Sequence, residues 1–166
     1  MTSNGFEPVA GPGARVLILG TLPGAASLAS GQYYAQPRNA FWTIMGEVAN
    51  AGPELPYEER LKQLEVRKIA LWDVCASAVR PGSLDAAIQR ASIVPNDFDG
   101  FFSAHPDLEV VCFNGQRAAA LFERLVWARL GGQWSRLRLV TLPSTSPAYA
   151  SVRVDQKIDA WRAALL

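Results

Sequence analysis

The residues able to do chemistry collect in four short stretches. The first opens with Gly20-Thr21-Leu22-Pro23-Gly24, passes an aromatic pair, Tyr33-Tyr34, and ends in Pro37-Arg38-Asn39, with a carboxamide last. The second, Asp73 to Ser83, carries a carboxylate, Asp73, and an arginine, Arg80. The third is an amide and a glycine, Asn114-Gly115. The fourth is a proline-bracketed run, Pro143-Ser144-Thr145-Ser146-Pro147, continuing through Ala148 to Tyr149. Amides, hydroxyls and π-faces suit a flat heterocycle, read by stacking and edge hydrogen bonds, better than a metal or an acyl group.

The absences narrow the choice. The only histidine, His105, lies just before a predicted strand, at the far end from the four stretches, which disfavours Ser-His-Asp catalysis. No GxGxxG or GxxxxGK[ST] is present, which disfavours dinucleotide and P-loop chemistry. Cys75, Cys112 and His105 together cannot supply a four-ligand zinc or iron–sulfur site, and both cysteines read as reduced core residues. A net charge of +1 gives no global basic field. A local patch remains open, and the excess of arginine over lysine suits phosphate forks as well as it suits GC-rich codon usage.

These stretches must be positioned by regular elements. With 49% hydrophobic and 19% charged residues, 166 residues can bury a core as one domain. Residues 1–14, rich in Gly, Pro and Ser, read as a flexible leader before a single domain over 15–166. Apolar runs predict strands at Val16–Leu19, Lys68–Trp72, Leu108–Phe113 and Leu137–Leu142. Helical patterns fall at Ala40–Val48, Tyr57–Leu64, Leu84–Ala91 (capped by Ser83), Phe98–Ser103, Gln116–Leu130 and Asp155–Leu165, while Gly20–Arg38 has little regular pattern. The alternation predicts a three-layer α/β/α sandwich on a parallel sheet, with all four stretches at the carboxyl ends of the strands. No apolar run is long enough to span a bilayer and no signal-like N-terminus is present, so a soluble, cytoplasmic protein is expected.

The blocks GTLPG, QYYAQPRNAFW, LWDV, RPGSLD and LPSTSPA resemble the uracil-DNA glycosylase superfamily, and within it the hypoxanthine-DNA (deoxyinosine) glycosylase branch. The similarity covers about residues 15–149. It implies a four-stranded parallel sheet between helices, no cofactor, a monomer acting on DNA with a deaminated base, and hydrolysis of one base–sugar bond. Many relatives hold the attacking water with an Asn or Asp where this chain has Thr21. The hypoxanthine branch is similar in lacking it, which implies that Asn39 takes that role. The serine-rich block also lacks the histidine of uracil-specific relatives.

The remaining roles follow from the same resemblance. Tyr34 would stack on the flipped base, Asp73 would read its edge, and Gly20, Thr21, Pro23 and Gly24 would bring backbone against it. Ser144, Thr145 and Ser146 would hold phosphates, with Pro147 and Ala148 at the minor groove. Each residue also has a plain structural reading. Asn39 and Asn114 would cap helices, Tyr34 would be core, and Asp73 would cap a helix or pair with Arg80.

Overall fold

The computed structural model describes residues 2–166. Its centre is a four-stranded, all-parallel sheet of β2 (Val16–Gly20), β3 (Ile69–Asp73), β6 (Val110–Asn114) and β7 (Arg138–Leu142), in the order β3-β2-β6-β7. Every residue of β2 and β3 is buried, which is why these strands read as unbroken apolar runs. Alternation then deals their side chains to two faces. Leu17, Leu19, Ala70, Trp72, Val111 and Phe113 pack on α4 (Phe98–Ala104) and α5 (Gln116–Phe122). Val16, Ile18, Leu71 and Cys112 pack on α2 (Phe41–Ala49), on Leu64 of α3 (Tyr57–Val66), and on Trp161 of α7 (Val154–Leu165). The three-layer architecture is the one the sequence predicts.

Three expectations change. The segment ahead of β2 is no loose leader. β1 (Thr2–Asn4) pairs antiparallel with β4 (Cys75–Val79), Val9 bridges Leu71 on the free edge of β3, and the Trp72 indole donates to Phe6 O at 3.0 Å. An edge strand with unpaired backbone groups recruits whatever chain can cover it, and here the glycine- and proline-rich segment does so. Next, the helix predicted over Leu84–Ala91 is a single 3₁₀ turn, Asp85–Ala87, followed by β5 (Gln89–Pro95). Pairing with β4 overrides local helix propensity there, completing a small sheet in the order β1-β4-β5. The Gly20–Arg38 connection also contains a short helix, α1 (Ala25–Ser30). The predicted helix Gln116–Leu130 is helical throughout but passes through a π-helical turn, Glu123–Trp127, before α6 (Ala128–Leu130). Among the described residues, no helix is long and apolar enough to cross a membrane.

Trp161 is completely buried in the second core, edge-on to Phe41, and its indole donates to Pro143 O at 3.0 Å. It fixes both α7 and the start of the serine-rich loop. Trp161→Ala is expected to cost about 3–5 kcal/mol in urea unfolding. Arg15→Ala, which breaks an exposed pair with Glu109, is expected to cost less than about 1 kcal/mol.

Candidate functional site

The chain starts its sheet in the middle. From β2 it moves to β3 at one edge, then returns to β6 on the other side of β2. Connections leave β2 and β6 toward opposite faces, so a crevice opens beyond their carboxyl ends, where ligands bind in open α/β sheets. A cleft of about 1010 Å³ lies there, lined by residues from all four predicted stretches.

One wall is the Gly20–Gly24 turn, and all of its carbonyls up to Pro23 are engaged by protein. Val74 N donates to Gly20 O at 2.9 Å and Cys75 N to Thr21 O at 3.0 Å. The buried Arg80 guanidinium donates to Leu22 O at 3.3 Å and also to Pro23 O. No hydrogen bond to the described residues engages the N–H groups of Leu22 and Gly24, which leaves donors on a turn whose acceptors are all held. Arg80 in turn pairs with Asp85 at 3.6 Å. The predicted alternative of an Asp73–Arg80 pair is therefore replaced by an Arg80–Asp85 pair. Ser83, expected to cap a helix after it, instead accepts from Ala25 N at 2.9 Å and caps α1.

The opposite wall hangs on Asn114. Its Oδ1 accepts from Thr145 N and its Nδ2 donates to Thr145 Oγ1, both at 2.9 Å. Thr145 O then accepts from Ala40 N at 3.0 Å, at the start of α2. Asn114 is thus a brace lining the cleft, and Thr145, at 1% exposure, is too deeply buried to offer its hydroxyl to a phosphate. Ser144 and Ser146 remain half-exposed. Each hydroxyl accepts from the backbone N–H two residues on, at 3.2 Å, which fixes the loop's curvature. Gly115 sits at φ +99°, and a Cβ there would meet the Ser144 Cβ at 3.0 Å, so the brace requires glycine.

Asn39 lies half-buried on the cleft between these walls. Its Oδ1 accepts from Phe41 N at 3.0 Å, so the helix-capping reading holds, and the cap fixes the amide's orientation. An amide oxygen has a second lone pair, which this bond leaves open.

Tyr34, at φ +56°, stacks on Phe41 with ring centroids 3.9 Å apart and planes within 19°. Phe41 therefore backs one face of a ring that also lines the cleft. Tyr33 is core: its hydroxyl donates to Glu7 O at 2.8 Å and its ring meets Phe6 edge-on.

Asp73, also on the cleft, is 4% exposed and paired in register with Gly20. Its Oδ2 and the Tyr34 hydroxyl are buried without hydrogen-bond partners. A Cβ on Gly20 would come within 2.6 Å of Asp73 Oδ1 and 3.0 Å of the Tyr34 hydroxyl, so only glycine lets these two groups converge. Burial, and then Asp85, push the Asp73 carboxyl from 3.8 up to about 7, against a partial pull from Arg80. Burial and the Asp73 charge raise the Tyr34 hydroxyl as well. Two buried polar groups without hydrogen-bond partners beside a cleft mark it as the candidate site.

The structure brings together every predicted site residue except the Thr145 side chain. Sequence reasoning did not single out Asp85, nor Leu84, Arg38 and Arg117 on the cleft's lining. The RPGSLD block contained the signal for Asp85, since a carboxylate five residues after an arginine across a glycine turn can fold back on it.

Comparison with known proteins agrees with this geometry. The family model described as "Uracil DNA glycosylase superfamily" matches residues 8–166. Relatives from Methanosarcina acetivorans and Methanosarcina barkeri, both named hypoxanthine DNA glycosylase, are 39% and 37% identical over 119 residues, which is 71% of this chain and 74% of each relative. The solution NMR structure of a uracil DNA glycosylase candidate from Methanosarcina acetivorans superposes with a TM-score of 0.81 at 34% identity, over 99% of this chain and 97% of that one.

The buried carboxyl also governs stability. Its folded-state pKa is raised, so the folded chain holds the proton longer than the unfolded chain does. Asp73 therefore subtracts from stability as pH climbs from its ordinary 3.8 to about 7, with no further change above. Asp73→Asn is expected to raise the Tm by several degrees at pH 8, with the gain vanishing near pH 4. Equal Tm values for the two proteins at pH 8, by circular dichroism, would show that the ionised carboxyl is not strained.

Proposed function

The chain belongs to the uracil DNA glycosylase superfamily, and from that premise we propose that it is a monofunctional DNA glycosylase acting on hypoxanthine in DNA. In this reading the deoxyinosine nucleotide swings out of the helix into the cleft between β2 and β6. Its base lies against Tyr34, whose far face is already supported by Phe41. The N1–H donates to the Asp73 carboxylate, which supplies a partner for its orphaned Oδ2. Adenine presents a lone pair at N1 and would face the carboxylate unpaired.

The bond from C1′ to N9 then breaks, and its electron pair leaves with the base. N–H donors of the Gly20–Gly24 turn stabilise the developing negative charge, because Arg80 and the β4 backbone hold that turn's carbonyls elsewhere. The sugar becomes oxocarbenium-like. A water held by the open lone pair of Asn39 Oδ1 adds to C1′ and releases a proton to solvent, giving an abasic site, while the base anion takes a proton from water. An amide is no base, so Asn39 contributes orientation rather than deprotonation. The fixed carboxamide of Asn39, lining the same cleft as Tyr34 and Asp73, carries this reading. In this reading the protein acts as a monomer on DNA inside the cell.

The Asn39–Phe41 hydrogen bond also favours a second reading, a damaged-DNA binding module in which Asn39 only caps α2. Asn39→Ala separates the two. Base release from an inosine oligonucleotide, revealed by alkaline cleavage, is expected to fall roughly 10²–10³-fold while affinity for the same DNA stays within a few-fold. Near-normal release would exclude the catalytic role, and binding without release by the unaltered chain would favour the module.

The pH dependence tests Asp73. If the carboxylate accepts N1–H, release from inosine DNA rises with pH through about 7. That limb should disappear in Asp73→Asn, together with most of the discrimination against adenine.

A further inference from the structure

Residues 2–9 line no part of the cleft, yet their contacts fall on the residues that support it. The half-buried Phe6 ring meets the Tyr33 ring edge-on, with centroids 5.1 Å apart, and Glu7 O accepts from the Tyr33 hydroxyl at 2.8 Å. Phe6 O accepts from the Trp72 indole at 3.0 Å, and Val9 exchanges two backbone hydrogen bonds with Leu71, at 2.8 and 2.9 Å. Gly5 N donates to Ala76 O at 2.8 Å. A Cβ on Gly5 would meet Cys75 O at 2.9 Å, so the approach to β4 requires glycine there.

The partners stand next to the groups that face the ligand. Tyr33 precedes Tyr34, Trp72 precedes Asp73, and Cys75 N holds Thr21 O in the Gly20–Gly24 turn. Tyr34 is the demanding case. At φ +56° its backbone is left-handed, a conformation that costs a tyrosine energy and that its neighbours must impose. Ser27 Oγ accepts from Ala35 N and the Tyr57 hydroxyl from Tyr33 N, both at 3.0 Å, while the Trp42 indole donates to Tyr33 O at 2.9 Å. Those ties hold backbone. Among the described residues, the bond to Glu7 O is the only one made by the Tyr33 hydroxyl.

We infer that Phe6 and Glu7 are positioning residues of the base pocket, clasping Tyr33 and Trp72 so that Tyr34 and Asp73 meet the extruded base in register. The clasp rests on the base-extruding reading above, and it gives the amino-terminal segment a task beyond covering the edge of β3. Phe6→Ala is expected to slow single-turnover base release from inosine DNA by about fivefold or more, while affinity for the same DNA stays within about twofold. Phe6→Leu should recover most of the rate. Tyr33→Phe, which keeps the ring and loses the bond to Glu7 O, should slow release in the same direction. The two changes undo one clasp, so the double variant should be within about twofold of the slower single one.

The Trp72 arm reads out through pH. Trp72→Phe frees Phe6 O and loosens the end of β3, letting water reach Asp73, with Asp85, Arg80 and Tyr34 still around the carboxyl. The rise of release through about 7 should then move to lower pH. Rates are taken well below each variant's Tm, so lost stability alone changes none of them. Unchanged release in Phe6→Ala and Tyr33→Phe, additive slowing in the double variant, or an unmoved pH limb in Trp72→Phe would overturn the clasp. Affinity falling in parallel with rate would overturn it too, since the segment would then meet DNA directly. In each case the unaltered chain still turns over and the glycosylase reading stands. An unaltered chain inert on inosine DNA would overturn that reading and the clasp with it.

Discussion

The mouth of this protein depends on a three-member relay: Asn114 grips Thr145 from both ends of its carboxamide, and Thr145 hands its carbonyl to Ala40. Asn114 ends β6, Thr145 lies in the serine-rich loop, and Ala40 caps α2. The relay sets the serine-rich loop against the end of β6 and fixes where α2 begins, and therefore where Asn39 stands. Buried polar groups in such a chain must all be satisfied together, since a half-satisfied network costs more than an apolar one. The position of the Asn39 amide thus rests on hydrogen bonds made outside its own side chain.

A second anchor works from the other edge of the sheet. Arg80 is a buried cation whose donors reach three backbone carbonyls and one carboxylate, tying the Gly20–Gly24 turn to the 3₁₀ turn at Asp85. Between the two anchors lie Asp73 and the Tyr34 hydroxyl, which the fold leaves without partners. The arrangement follows a general pattern, in which supporting residues are saturated with hydrogen bonds so that the groups meeting the ligand can stay unsatisfied.

Much of this was legible in the sequence because β2, β3 and β6 are buried on both faces. The apolar runs Val16–Leu19, Ile69–Trp72 and Val110–Phe113, separated by helical periods, leave few alternatives to a parallel sheet, and its switch point then places the loops. Asn39, Tyr34 and Asp73 stood out as candidates because turn residues, aromatics and polar groups fell at loop positions together, while the roles given to them came from the resemblance. Burial of the individual polar side chains was not legible. Thr145 in a serine-rich run looks like a surface hydroxyl, but two hydrogen bonds with Asn114 hold it at 1% exposure. The small antiparallel sheet was hidden for a similar reason. Thr2–Asn4 has no strand pattern of its own and becomes a strand through its partner β4, while Leu84–Ala91 looks helical until β4 claims the residues beyond it.

That borrowed strand has a consequence for how the protein is made. Thr2 pairs with Val79, and Val9 with Leu71, so early-synthesised residues must wait for most of the N-terminal half to leave the ribosome. Closing such sequence-distant contacts is slow relative to forming the helices between them. Until the amino-terminal segment folds back across it, the outer edge of β3 is an unpaired strand, a surface open to pairing with another chain.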